Sequence, residues 1–162
     1  MSADKLQLRR VLRLDDAELL ALIRRSDEYL ESLYPPESNH AEPLQALVGE
    51  DSAFFAGYLD EQLVACGAVK FLENGGKDRE RYGEIKRVFV DPEQRGKRLA
   101  TTVMRHLEQH LLQHGVTLAR LEAGPAQPEA LNLYRKLGYL ERGPFGRYRP
   151  DPLSVFMEKR LE

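Results

Sequence analysis

Apolar residues recur along this chain with two different spacings, and the switch between them is sharpest between Glu84 and Gly115. Ile85, Val88, Phe89 and Val90 crowd β-branched and aromatic side chains just ahead of Asp91-Pro92, which predicts a strand ending in a turn. Past the turn, Leu99, Val103, Leu107 and Leu111 recur at every fourth position, and Ala100 and Met104 widen the stripe. Such a stripe is one face of a helix, and Gly115 stands where a left-handed C-terminal cap would close it.

The same reading extends to both ends of the chain. Leu6, Leu8, Val11, Leu12 and Leu14 predict a first strand ending at Asp15-Asp16, whose carboxylates suit the start of a helix. Leu19, Leu20, Ile23, Leu30 and Leu33 put one apolar face on that helix, and Pro35-Pro36 stops it. A short second helix is expected over 43–48. Residues 53–59 and 62–72 read as a strand pair turning at Asp60-Glu61, and 74–78 as a turn into the central strand. Residues 117–122 make a further strand. Pro128 then opens a helix whose inner face holds Ala130, Leu131, Tyr134 and Leu137, with Gly138 closing it. The last strands fall at 139–142 and 153–157, on either side of a long connection. The order is α/β (α+β): a mixed sheet of about seven strands flanked by about four helices, because a lone crossover helix implies parallel neighbours.

Composition narrows the class without naming it. A chain of 162 residues suits one domain over 1–162, and no repeat or linker interrupts it. Charged residues make up 31% and the formal net charge is −2, with no Lys/Arg tract interleaved with aromatics, so nucleic acid is not an expected partner. No apolar run is long enough for a bilayer, and Met1-Ser2-Ala3-Asp4 does not read as a signal peptide. The single Cys66 lies in an apolar run and reads as a buried strand thiol; the expected address is cytoplasmic. His106, His110 and His114 lie four apart, a spacing that can bring two imidazoles to one metal. They flank the apolar stripe on a face expected to be wet, without a carboxylate motif, and no metal is assigned. Cys66 and Ser154 both sit in apolar strand patterns, so no nucleophilic triad is suggested.

The candidate chemistry lies in the turn between the central strand and its helix, Arg95-Gly96-Lys97-Arg98-Leu99-Ala100-Thr101. The first turn of a helix has amides without intrahelical partners and the positive end of the dipole, which attract a phosphate. Gly96 lets the backbone come close, and Arg95, Lys97 and Arg98 add charge. By itself such a turn serves equally as a solvated loop. The segment resembles the acetyl-coenzyme A loop of the GNAT N-acetyltransferases: Gln or Arg, two residues, Gly, one residue, then Gly or Ala. The family's central Gly is Arg98 here. A second stretch, Gln127-Pro128-Glu129-Ala130-Leu131-Asn132-Leu133-Tyr134 followed by Gly138-Tyr139, is similar to the family's second signature, with Gln127 replacing the usual Asn. Residues 34–40 and the tract Asp151-Pro152-Leu153-Ser154-Val155-Phe156-Met157-Glu158-Lys159 look like a bacterial branch of mostly unassigned substrate.

The resemblance implies an acetyl-coenzyme A-dependent N-acetyltransferase acting on a primary amine in a ternary complex. Val88, Phe89 and Val90 would offer main-chain groups to the thioester and its arm, residues 95–101 would hold the diphosphate, and Gln127 and Ala130 would face the arm. Tyr134 matches the tyrosine that protonates the departing thiolate. A primary amine of pKa ~10.4 is only about one part in a thousand neutral at pH 7, so a base is required. Glu84 is the candidate, with Glu122 as its alternative. The family's acceptor site is framed by the segment after the first helix and the loop before the last strand, here 34–40 and 143–152, which brings in Tyr34, Asn39 and Arg147, with Arg87 beside them on the central strand. Basic residues there (Lys86, Arg87, Arg147 and Arg149) suggest a small amine bearing an acidic group. Acetylation of a protein lysine or N-terminus is a rival, separated by whether two loops close the acceptor end. A non-catalytic acyl-coenzyme A sensor is another. Proteins of this family commonly pair through their last strands, so a homodimer is compatible with the resemblance.

Overall fold

The structure is a computed structural model that describes residues 5–38, 43–73 and 80–162. The expected turn over 74–78 and Asn39 lie outside the described residues. Seven strands appear among them: β1 (Gln7–Val11), β2 (Ser52–Leu59), β3 (Gln62–Glu73), β4 (Arg81–Val90), β5 (Leu118–Ala123), β6 (Leu140–Arg142) and β7 (Val155–Arg160). The α-helices are α1 (Ala17–Leu33), α2 (Leu99–Gln113) and α3 (Pro128–Lys136). One mixed sheet takes the order β1-β2-β3-β4-β5-β7-β6. Only β4 and β5 pair in parallel, as the single crossover through α2 requires. The β2–β3 hairpin turns at Asp60 and Glu61, both with positive φ, the geometry that matches the twist of a two-residue hairpin.

Alternation along the strands separates two cores. Phe55, Ala65, Val69 and Ile85 face α2, where Val103, Met104, Leu107 and Leu111 fill the other side. Phe54, Ala56, Cys66 and Phe89 face α1 and its Leu19, Leu22 and Ile23. Helix α2 lies directly on β4: a Cβ on Gly83 would stand 2.1 Å from Leu111 Cδ2, so glycine is what allows the close approach. Asp16 starts α1 as expected, its carboxylate accepting from the amides of Glu18 and Leu19.

Two expectations are corrected. The helix expected over 43–48 is a 3-10 turn, Leu44–Leu47, so three α-helices stand where about four were expected. Between Pro43 and Gly49 the segment is too short to add α-helical bonds that repay nucleation. The histidine face of α2 is also not simply wet. His106 meets the Phe55 ring edge-on at 4.5 Å between centroids, and His110 and His114 pack against Phe71. No metal-binding cluster is present among the described residues, and none of their helices is long and apolar enough to cross a membrane.

Burial against these rings, with His114, Arg10 and His106 adding repulsion, pulls the His110 imidazole from its ordinary 6.5 to about 4. Its folded-state affinity for protons is therefore below its unfolded one, so the unfolded chain gains protons first on acidification. Part of the stability is accordingly lost as pH falls from about 6.5 to about 4. Urea midpoints measured across that window should decline, and a His110→Leu variant should show a shallower decline.

Candidate active site

The site begins where two strands part. β4 and β5 pair only at Gly83, Glu84 and Ile85 against Ala119, Arg120 and Leu121, although β4 continues to Val90. On the other side of β4, the pairing with β3 slips between Cys66 and Ala68, where Gly67 alone faces both Arg87 and Val88. Arg87 takes a left-handed φ of 59° at this bulge, which bends and twists β4. The β4 edge facing β5 is left without ladder partners beyond Ile85. A cleft of about 990 Å³ opens there, and Val88, Phe89 and Val90 line it.

One end of the cleft is the turn into α2. Asp91 stiffens it by accepting from the Glu93 amide and from the Arg25 guanidinium at 3.1 Å. Gly96 (φ 84°) and Arg98 (φ 59°) both adopt left-handed conformations before α2 starts at Leu99. Arg98 thus holds a left-handed conformation that a glycine would take freely, at a strain of about 1 kcal/mol. It offers α2 no side-chain cap, and the first turn holds no acidic residue. Alternating left-handed residues and an uncapped helix start make a concave, amide-lined anion site, so this loop fits a diphosphate. Arg95, Gly96, Arg98, Leu99, Ala100 and Thr101 line the cleft. Lys97 does not; its ammonium bonds Gln94 Oε1 at 2.6 Å, and Gln94 lines the cleft instead. Arg105, also lining it, lies four residues past Thr101 and so on the same helix face.

The facing wall is α3. Gln127, Ala130 and Tyr134 line the cleft. Burial pushes the Tyr134 phenol up to about 12, so it keeps its proton across the neutral range. Its ring packs edge-on against Tyr139, whose hydroxyl is held by the buried Glu108 at 2.7 Å.

The other end of the cleft collects the acceptor candidates. Glu84 is buried, 4% exposed, and its Oε2 accepts from the Tyr148 hydroxyl at 2.5 Å and from Lys86 Nζ at 3.2 Å. Glu122 accepts from Ser154 Oγ at 2.9 Å, and Arg87 pairs with Asp27 of α1. Tyr34 bonds Gln127, and Ser38 Oγ donates to Asp151 Oδ2 at 2.8 Å. Arg147 is exposed and lies outside the cleft lining, as does Arg149. Phe145 and Tyr148 anchor that loop against Phe156 and each other, leaving the intervening Arg147 outside. Tyr148 takes the place expected of Arg147; the sequence signal was its aromatic character beside Phe145. The basic residues expected to meet an acidic group are therefore carboxylate-paired or outside the cleft.

Residues 17–139 match the acetyltransferase (GNAT) family. Over 148 residues, 91% of this chain and 93% of the relative, the sequence is 43% identical to an IAA acetyltransferase of Azospirillum brasilense. The fold resembles a Klebsiella pneumoniae protein assigned as an acyl-CoA N-acyltransferase (TM-score 0.75, 34% identity), covering 97% of this chain and 98% of that one. It also resembles the PaiA N-acetyltransferase of Thermoplasma acidophilum solved with coenzyme A, at TM-score 0.72 and 18% identity, covering 99% and 100%. The last likeness is one of fold. The parted strands, the uncapped helix start and these matches lead to one assignment: the chain belongs to the GNAT family of acetyltransferases, with acetyl-coenzyme A as its acyl donor.

Proposed function

We propose that the protein moves an acetyl group to the primary amine of a small molecule, with Glu84 as base and Tyr134 as acid. The observation that supports a small acceptor is the Ser38–Asp151 hydrogen bond. It joins the segment after α1 to the β6–β7 connection, and Ser38 lines the cleft. A lysine presented on a protein surface needs an open groove at that end; a bridged one suits a compact molecule.

Acetyl-coenzyme A, when bound, supplies the activated thioester carbonyl. The amine attacks that carbon as the carbon–sulfur bond breaks. Glu84 Oε2 is engaged by Tyr148 and Lys86, which leaves Oε1 to take the amine proton directly or through water. Main-chain N–H groups of the unpaired 88–90 edge meet the negative charge that grows on the carbonyl oxygen. The Tyr134 hydroxyl gives its proton to the departing sulfur. One relative supports a small acceptor too, since the Azospirillum protein is named for IAA.

Coenzyme A release measured over a panel of small primary amines and of lysine-bearing and free-N-terminal peptides tests the proposal. Turnover is expected on small amines and at background on peptides. Turnover confined to peptides would replace this reading with protein acetylation; coenzyme A binding with no turnover on any amine would favour a sensor.

A further inference from the structure

Tyr34 ends α1, and it precedes Pro35, which disfavours helical backbone. Its φ and ψ are −133° and 143°, and the extended turn swings the phenol out of α1 toward the connection between β5 and α3. The ring is 8% exposed. It lies where a side chain on Gly124 would be: an added Cβ would stand 1.9 Å from the Tyr34 oxygen and 2.2 Å from Cζ. Gly124 is therefore required by the phenol, with no left-handed φ to explain it.

The hydroxyl is engaged at the end of that connection. Its hydrogen goes to Gln127 Oε1 at 3.2 Å, in the residue that opens α3. The amide atom facing Tyr34 is Oε1, which can only accept, so the phenol is the donor and Nε2 is left to point elsewhere. Gln127 occupies the N-cap position of α3, yet its side chain caps none of the helix amides. Its usual local use is forgone, and the amide lines the cleft shared with Tyr34.

We infer that Tyr34 is a positioning residue for Gln127, holding the amide so that Nε2 is presented to the coenzyme A cleft as a donor. The inference rests on reading the cleft as the coenzyme A site. Tyr34 belongs to the acceptor end, so the amide it orients meets the thiol-bearing arm and not the diphosphate. An acceptor-side residue thereby sets the donor that grips the acyl carrier, without itself touching the reacting atoms.

Calorimetry with two probes tests this: coenzyme A, and adenosine 3′,5′-bisphosphate, which has the nucleotide half and no arm. In Tyr34→Phe the dissociation constant for coenzyme A should rise about fivefold while that for the bisphosphate stays unchanged. The rise should vanish when Tyr34→Phe is made in a Gln127→Ala background, because the two act as one unit. Gly124→Ala, which displaces the phenol, should repeat the signature. Equal weakening of both probes would make Tyr34 merely structural and overturn the inference. So would a Tyr34→Phe effect that adds fully to Gln127→Ala, or an unchanged coenzyme A affinity. Failure of the unaltered protein to bind either probe would instead overturn the placement of the coenzyme A site, and the inference with it.

Discussion

Replacing Tyr134 by phenylalanine should lower kcat about 100-fold or more while leaving coenzyme A affinity within about twofold, because one proton donor is lost and almost no contact area. The residue sits in α3, lines the cleft, and keeps its proton because burial holds the phenol up at about 12. A phenol so weakly acidic protonates a sulfur only when that sulfur is itself made basic. A coenzyme A thiolate held in the same surroundings would meet this condition, since burial disfavours a thiolate as it disfavours a phenolate. The position is rigid: the Tyr139 amide bonds the Tyr134 carbonyl at 3.0 Å, and Tyr139 is tied to Glu108, which Lys159 also holds at 3.0 Å. Steady-state kinetics with calorimetry separates the outcomes. If kcat and affinity fell together, Tyr134 would be a packing residue; if neither moved, the proton would come from elsewhere.

Glu84→Gln should reduce kcat/KM at pH 7 about 100-fold, the size expected when a positioned base is replaced by an isosteric amide. It should also cost stability. Lys86 and Glu84 are 9% and 5% exposed at their side chains, and replacing the carboxylate by an amide takes the Glu84 charge away from a buried ammonium. Losing one member of such a pair typically destabilises by about 3 kcal/mol, visible as a lower urea midpoint. Glu84→Gln combined with Lys86→Met removes both charges and should recover much of the stability but none of the activity. Recovery of activity in the double variant would show that the carboxylate serves folding alone, and attention would pass to Glu122 of the adjoining β5, hydrogen-bonded to Ser154.

The sequence was most legible where one stretch of chain carries its own explanation. The four-residue stripe from Leu99 to Leu111 appears as α2, the Asp60-Glu61 reversal as the β2–β3 turn, and Asp16 as the cap of α1. The proposal that the loop from Arg95 to Thr101 holds an anion could be framed from the sequence because a helix start is a local device, built from consecutive amides. Less of the acceptor end was legible. Arg147 and Tyr148 are neighbours, and which one enters the cleft depends on Phe156, in the following strand, accepting the tyrosine ring. The histidines looked solvated until β2 and β3 brought Phe55 and Phe71 alongside them.

Periodicity, capping and turn chemistry act over a few residues, so the order of elements, the parallel crossover and the place of the basic turn ahead of α2 were all readable from the chain alone. The bulge at Arg87, the parting of β4 from β5, the Ser38–Asp151 bridge and the phenol of Tyr34 over Gly124 were not. Each depends on groups far apart in the chain, from the single Gly67 opposite two residues of β4 to a tyrosine ninety-odd positions from its amide partner. Such contacts follow from how the layers pack, and no spacing rule along the backbone encodes them.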